Sequence, residues 1–217
     1  MIASRKLRTG DRLPSERDVA EQLGISRNSV RLAIRSLTDS GLLSVKKGMS
    51  GGAFVQGGSA SAVRASFADL YSLGTLQPAH LTEARLMIGV EVVRLACQRA
   101  TDNDLDVLEA NILEAEKAVR AGDLERRSIL NTEFFGLLAR MTRNPALEIM
   151  MDAVMEITVK FAVRPSNRDV MPFRRSLLKD LRARDANASE KRMRQYLEKL
   201  QKIYLSGLVS QPGDERD

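Results

Sequence analysis

Residues 10–55, GDRLPSERDVAEQLGISRNSVRLAIRSLTDSGLLSVKKGMSGGAFV, spell two short helices joined at a glycine and followed by a glycine-rich hairpin. Ser15 is placed to cap the first helix with Asp18 as its capping-box partner, and Val19, Ala20 and Leu23 supply an inward face before Gly24 closes it. Ser26 caps the second helix. There Val30, Ala33, Ile34 and Leu37 recur at helical spacing and turn toward a core, leaving Arg27, Asn28, Arg31 and Arg35 on the opposite arc. Arginine forks onto guanine O6 and N7, asparagine pairs with adenine, and both reach phosphates, so this arc suits a major groove. Ser26 and Ser29 add backbone contacts, Arg17 stands where the preceding helix meets the sugar-phosphate backbone, and Pro14 fixes the entry of the chain. After Gly41, residues 42–45 read as a strand, 46–52 as a tight basic turn and 53–56 as the returning strand, with Lys47 and Gly48 at the wing tip. A solvated charged helix beside an ordinary hairpin is the plain alternative. The ordered combination of cap, turn, second helix and basic wing favours duplex DNA as the partner.

The charge distribution points the same way. Residues 1–58 carry ten Lys or Arg against five Asp or Glu, a net of +5 out of +6 for the whole chain, so the remainder is electrically balanced. A length of 217 residues with 43% hydrophobic content suits two globular domains with buried cores. No apolar run approaches the roughly 20 residues that span a bilayer, and the MIASRKLRTG start lacks the apolar segment of a signal peptide, so a cytoplasmic protein without membrane contact is expected. The single Cys97, in EVVRLACQRA, falls on the apolar face of a helix and reads as a small buried hydrophobe.

From Ser59 onward the pattern is helix after helix, near residues 60–73, 79–100, 102–121, 123–142, 144–163, 170–184 and 187–209, with breaks at Gly74, Thr101, Gly122, Asn144, Pro165 and Asn187. Gly57, Gly58 and Ser59 mark the joint. The expected fold is mainly α: an N-terminal winged helix-turn-helix with a small β-hairpin wing over residues 1–58, a C-terminal all-α antiparallel bundle over 59–210 and a polar tail over 211–217. The methionine-rich surface of Leu147, Ile149, Met150, Met151, Val154, Met155 and Ile157 fills a core or lines an adaptable cavity, core filling being the better reading for most of it.

On the motifs LPSER and SRNSVRLAI the first 56 residues resemble the winged-helix domain of the GntR family of bacterial transcription regulators. The helical remainder resembles the FadR subfamily, whose FCD domain is an antiparallel bundle that binds a small effector and supports a dimer. EARLMI, NTEFFGLLARMTRNPAL and RARDANASEKRMRQYL carry this weaker likeness. The resemblance implies DNA contacts at Arg17, Ser26, Arg27, Asn28, Ser29, Arg31, Lys47 and Gly48. Many FCD domains hold a divalent metal through an aspartate and three histidines. At the matching positions this chain has Asn131, Phe135, Arg174 and Tyr196, a set with neither carboxylate nor imidazole, so no metal and no cofactor are expected. His80 lies outside these motifs and reads as a cap or surface residue.

In place of a metal, Arg85, Arg174 and Tyr196 could set two guanidinium groups and a phenol around an apolar cavity with Phe135 and Asn131, suited to a carboxylate or acyl effector. Equally open is a structural arrangement in which Arg85 pairs with Glu91 or Glu133 and Phe135 fills the space. Relatives usually begin with a complete helix before LPSER. Here about a dozen residues precede Leu13, and Ile2 and Leu7 are the apolar remnant of a shortened first helix or of a late start. The chain shows no GxSxG, P-loop or HExxH and has one His and one Cys, which excludes the common catalytic constellations. The resulting expectation is a homodimeric, effector-responsive repressor or activator on a pseudo-palindromic operator. A non-specific architectural DNA-binding protein and a metal-independent acyl-CoA-responsive regulator are the rivals.

Overall fold

The computed structural model describes residues 7–48, 51–56, 60–161 and 167–209. Ile2, the joint at 57–59, the break at Pro165 and the tail 211–217 lie outside the described residues. The chain divides into two compact units, Met1–Ser66 and Phe67–Asp217.

In the first unit α1 (Glu16–Leu23) is fixed at both ends. The Asp18 backbone N–H donates to Ser15 Oγ at 3.2 Å and the Ser15 N–H donates to the Asp18 carboxylate at 3.3 Å, while Gly24 ends the helix at φ +64°, a conformation that costs glycine nothing. α2 (Arg27–Asp39) starts from Ser26, and an antiparallel hairpin of β1 (Leu43–Lys46) and β2 (Gly52–Val55) follows in the register Leu43 to Val55 and Val45 to Ala53. The core here is small: Ala20, Val30, Leu43 and Val55 are buried, with Val19, Ile34 and Leu37 half-buried around them. Two expected core residues differ. Leu23 is 59% exposed at the C-terminal end of an eight-residue helix. Ala33 is also exposed, since the inward stripe of α2 runs through Val30, Ile34 and Leu37 and leaves Ala33 on its flank. The segment before the helices is tied to β2 by an isolated bridge: Gly10 N–H donates to Val55 O and Leu13 N–H to Ala53 O, both at 2.8 Å, with Arg12 bridging Phe54. A single bridging residue leaves no periodic trace in a sequence.

α3 (Ala60–Ser72) leads into the helical unit of α4 (Pro78–Arg99), α5 (Asp102–Ala121), α6 (Leu124–Met141), α7 (Pro145–Phe161), α8 (Asn167–Arg182) and α9 (Ala186–Val209). Short connections turn α6 back on α5, α7 on α6 and α9 on α8; between α5 and α6, Gly122 stands at φ +70° and Asp123 caps the next helix. α4 is central, packed against α6, α7, α8 and α9. Its Val92, Val93, Ala96 and Cys97 join Leu105, Leu108, Phe134, Phe135, Leu138, Leu177, Met193 and Leu197 in one continuous core. Met151, Val154, Met155 and Ile157 are buried whereas Met150 faces outward, so the broad apolar surface of α7 serves mainly as core filling. α8 begins three residues before the expected start and carries Pro172 within it.

Candidate functional site

All of Arg17, Ser26, Arg27, Asn28, Ser29, Arg31, Lys47 and Gly48 are exposed. Ser26 Oγ accepts from the Ser29 backbone N–H at 3.1 Å and shares a 2.8 Å hydrogen bond with Ser29 Oγ, which anchors the start of α2. Arg31 Nη2 donates to Asn28 Oδ1 at 2.8 Å, one turn apart on the same face. Arg17 is held by Glu21 at 3.0 Å and lines, with Arg27, an open recess at the α1–α2 turn. Neither Arg27 nor Arg35 makes an ion pair among the described residues, so both keep all five donors for an external anion. On the hairpin the Lys46 ammonium lies 5.0 Å over the Phe54 ring, which leaves Lys47 as the outward cation next to Gly48 at φ +111°. Sequence reasoning passed over Arg12, whose guanidinium packs on Gly52 so closely that an added Cβ would stand 2.8 Å from Arg12 Nε. Its only sequence signal is a basic residue just ahead of the LPSER motif.

In the second unit the five candidate effector residues fall into two groups. Asn131 and Arg174 line a recess of about 50 Å³ between α6 and α8, together with Leu124, Arg127, Ser128, Val170 and Met171. Arg174 is 2% exposed, sits 4.6 Å over the Phe134 ring, and donates from Nη2 to Asn131 Oδ1 at 2.7 Å. Its Nη1 has no hydrogen-bond partner. Burial pushes this guanidinium down to about 10, still charged at neutral pH. Arg127 and Ser128 stand one helical turn before Asn131, a spacing that could have flagged them.

Arg85, Phe135 and Tyr196 lie in the core and do not line that recess. Arg85 is 3% exposed and stacks 4.6 Å over Phe135, with Nε unpartnered. The proposed pairing of Arg85 with Glu91 or Glu133 is absent: Glu91 accepts from Arg94 at 2.6 Å and Glu133 from Asn111 at 3.3 Å. Phe135 takes the Arg85 cation on its π face instead. Tyr196 stacks on Phe173 at 3.7 Å, and burial pushes its phenol up to about 12 against the pull of Arg85 and Arg174. This donor set does not fit a divalent ion. Phe135 has no lone pair, Arg174 brings a positive charge, and the Asn131 oxygen already accepts from Arg174. His80 serves as a cap, its Nδ1 accepting from the Gln77 N–H at 3.4 Å at the start of α4.

Comparison with known proteins gives a consistent result. Residues 1–55 match the family described as bacterial regulatory proteins, gntR family, and residues 80–199 match the FCD domain. The chain is 30% identical to the Nta operon transcriptional regulator of Aminobacter aminovorans over 75% of its own length and 68% of that protein. It is 29% identical to the transcriptional repressor NanR of Shigella sonnei over 78% of its own length and 63% of that protein, and so spans less than two thirds of it. Among solved structures, a GntR protein of Streptococcus agalactiae aligns at a TM-score of 0.67 and 25% identity over 93% of this chain and 94% of that one. Escherichia coli McbR/YncC shares the fold at a TM-score of 0.53 and 21% identity, covering 93% and 90% of the two chains. The matched family and these named relatives are transcriptional regulators, not enzymes.

Proposed function

The chain belongs to the gntR family of bacterial regulatory proteins and carries an FCD domain, and from that premise we propose that it is a cytoplasmic, homodimeric repressor or activator controlled by a small carboxylate. Two copies of α2 enter successive major grooves of a pseudo-palindromic operator. Arg27, Asn28 and Arg31 face the bases, Ser26 and Ser29 hold the start of the helix against a phosphate, and Arg17, Lys47 and Gly48 meet the backbone on either side. The observation that carries this is the exposed arginine arc of α2 opposite Val30, Ile34 and Leu37, in the unit that holds nearly all of the net positive charge.

The effector is assigned to the recess at Arg174, where a buried guanidinium with a free Nη1 calls for an anionic oxygen. A recess of this size beside a buried guanidinium suits a compact carboxylate.

Selection of bound sequences from a random duplex library tests the DNA reading. Enrichment of an inverted repeat, bound far more tightly than scrambled DNA across a salt series, is the expected result. Equal, steeply salt-dependent binding of all duplexes would instead establish a non-specific architectural protein.

A further inference from the structure

The hydrogen bond between Arg31 and Asn28 bears on which base the recognition helix reads, given the DNA-binding role proposed above. Among the arc residues Arg27, Asn28, Arg31 and Arg35, only Asn28 carries a side-chain acceptor, since a guanidinium has donors alone. That oxygen accepts from Arg31 Nη2 at 2.8 Å. The neighbouring hydroxyls are turned inward as well: Ser26 Oγ accepts from the Ser29 backbone N–H, and the two hydroxyls bond each other. The donors of the arc therefore outnumber its acceptors.

Bases differ in what they require of such a surface. Adenine shows an N7 acceptor beside an N6 donor, so an asparagine that reads it must give a hydrogen and take one with its oxygen. Guanine shows two acceptors, N7 and O6, side by side. The Asn28 oxygen uses one of its two lone pairs on Arg31 and is drawn toward it, while Arg31 retains its Nε hydrogen, both Nη1 hydrogens and one on Nη2, enough for a two-bond fork. We propose that Asn28 is a positioning residue, holding Arg31 so that it forks onto guanine, and that this pair reads a G·C base pair in each operator half-site rather than an adenine.

The test is the same library selection carried out with the full chain, with Arg31→Ala, with Asn28→Ala and with Asn28→Asp. Competition between duplexes differing by guanine or adenine at the enriched position then follows for each protein. Wild type is expected to prefer guanine there about tenfold or more. Arg31→Ala loses the preference at that position and at no other. Asn28→Ala weakens it. Asn28→Asp keeps it, because aspartate still offers Arg31 an acceptor although it has no amide hydrogen for adenine N7; its added negative charge lowers affinity for every duplex alike. The guanine-to-adenine ratio within one protein is unmoved by a general loss of affinity or of folded material. An adenine preference abolished by both Asn28 substitutions would overturn the proposal while leaving the regulator reading intact, and so would a guanine preference that survives in Arg31→Ala. A wild-type protein that enriches no sequence would overturn both.

Discussion

Arg174 poses a sharp energetic question at the scale of a single residue, for it is a buried cation whose one hydrogen bond among the described residues goes to an uncharged amide. Such a group is costly to the fold, and removing it relieves that cost. Arg174→Met is therefore expected to change stability by no more than about 1 kcal/mol in either direction, relief of the buried charge offsetting the hydrogen bond lost at Asn131. Phe134→Ala, in contrast, should cost about 3–5 kcal/mol by opening a cavity in the core. Thermal melts with and without acetate or propionate separate structure from binding. An anion at 100 times its Kd stabilises wild type by about 2.7 kcal/mol and leaves Arg174→Met unmoved; equal stabilisation of both proteins would rule out the recess as the site. Tandem likeness to known motifs placed Arg174 and Asn131 in one neighbourhood. It did not separate them from Arg85, Phe135 and Tyr196, because which face of a guanidinium meets a ring and which meets a recess depends on packing between α6 and α8 that no helical spacing encodes.

Helices were the most legible elements, for a physical reason: Ser15, Thr101, Gly24 and Gly122 are local signals whose hydrogen bonds close within one turn. What neighbours demand of an element was not legible. Gly89, in the middle of α4, looks like a helix weakness, yet α9 approaches there so closely that an added Cβ would stand 2.7 Å from Leu197 Cδ1. Gly89→Ala gains up to about 1 kcal/mol of helix propensity and loses about 1–3 kcal/mol to overpacking, so a net loss is expected in chemical denaturation. In a Leu197→Ala background the same change should become neutral or stabilising; an unchanged loss would mean that Leu197 is not the obstacle. α5 and α8 are joined differently, through Arg175, which donates twice to Glu116 at 2.6 Å, and through Arg182, shared by Asp106 and Glu109. The Arg175 hydrogen bonds hold the Glu116 carboxyl below its ordinary 4.5, so its contribution to stability is complete above pH 4.5 and is lost as pH falls through the lower folded-state value. Glu116→Gln should thus be less stable than wild type near neutrality, with the gap closing in acid melts below pH 4.5. A gap that persisted at pH 2 would show that packing, not charge, joins the two helices.

For the whole molecule, the charge carried by residues 1–58 and the near neutrality of the remainder assign DNA affinity to one unit and ligand binding to the other. Regulation then requires only that the ligand-bound and free states differ in affinity for the operator, and such a difference is reciprocal by thermodynamic necessity. If a saturating carboxylate changes the operator Kd by some factor, saturating operator must change the carboxylate Kd by the same factor and in the same direction. Both titrations are done at matched ionic strength, with chloride replacing the carboxylate in the controls, because each phosphate contact neutralised steepens the salt dependence by about 0.9 in the log-log slope. Equal factors place the effect in the protein. A carboxylate that weakens operator binding while operator leaves carboxylate binding untouched would instead be acting as a screening salt on the arginine arc of α2, and the recess at Arg174 would have no part in regulation.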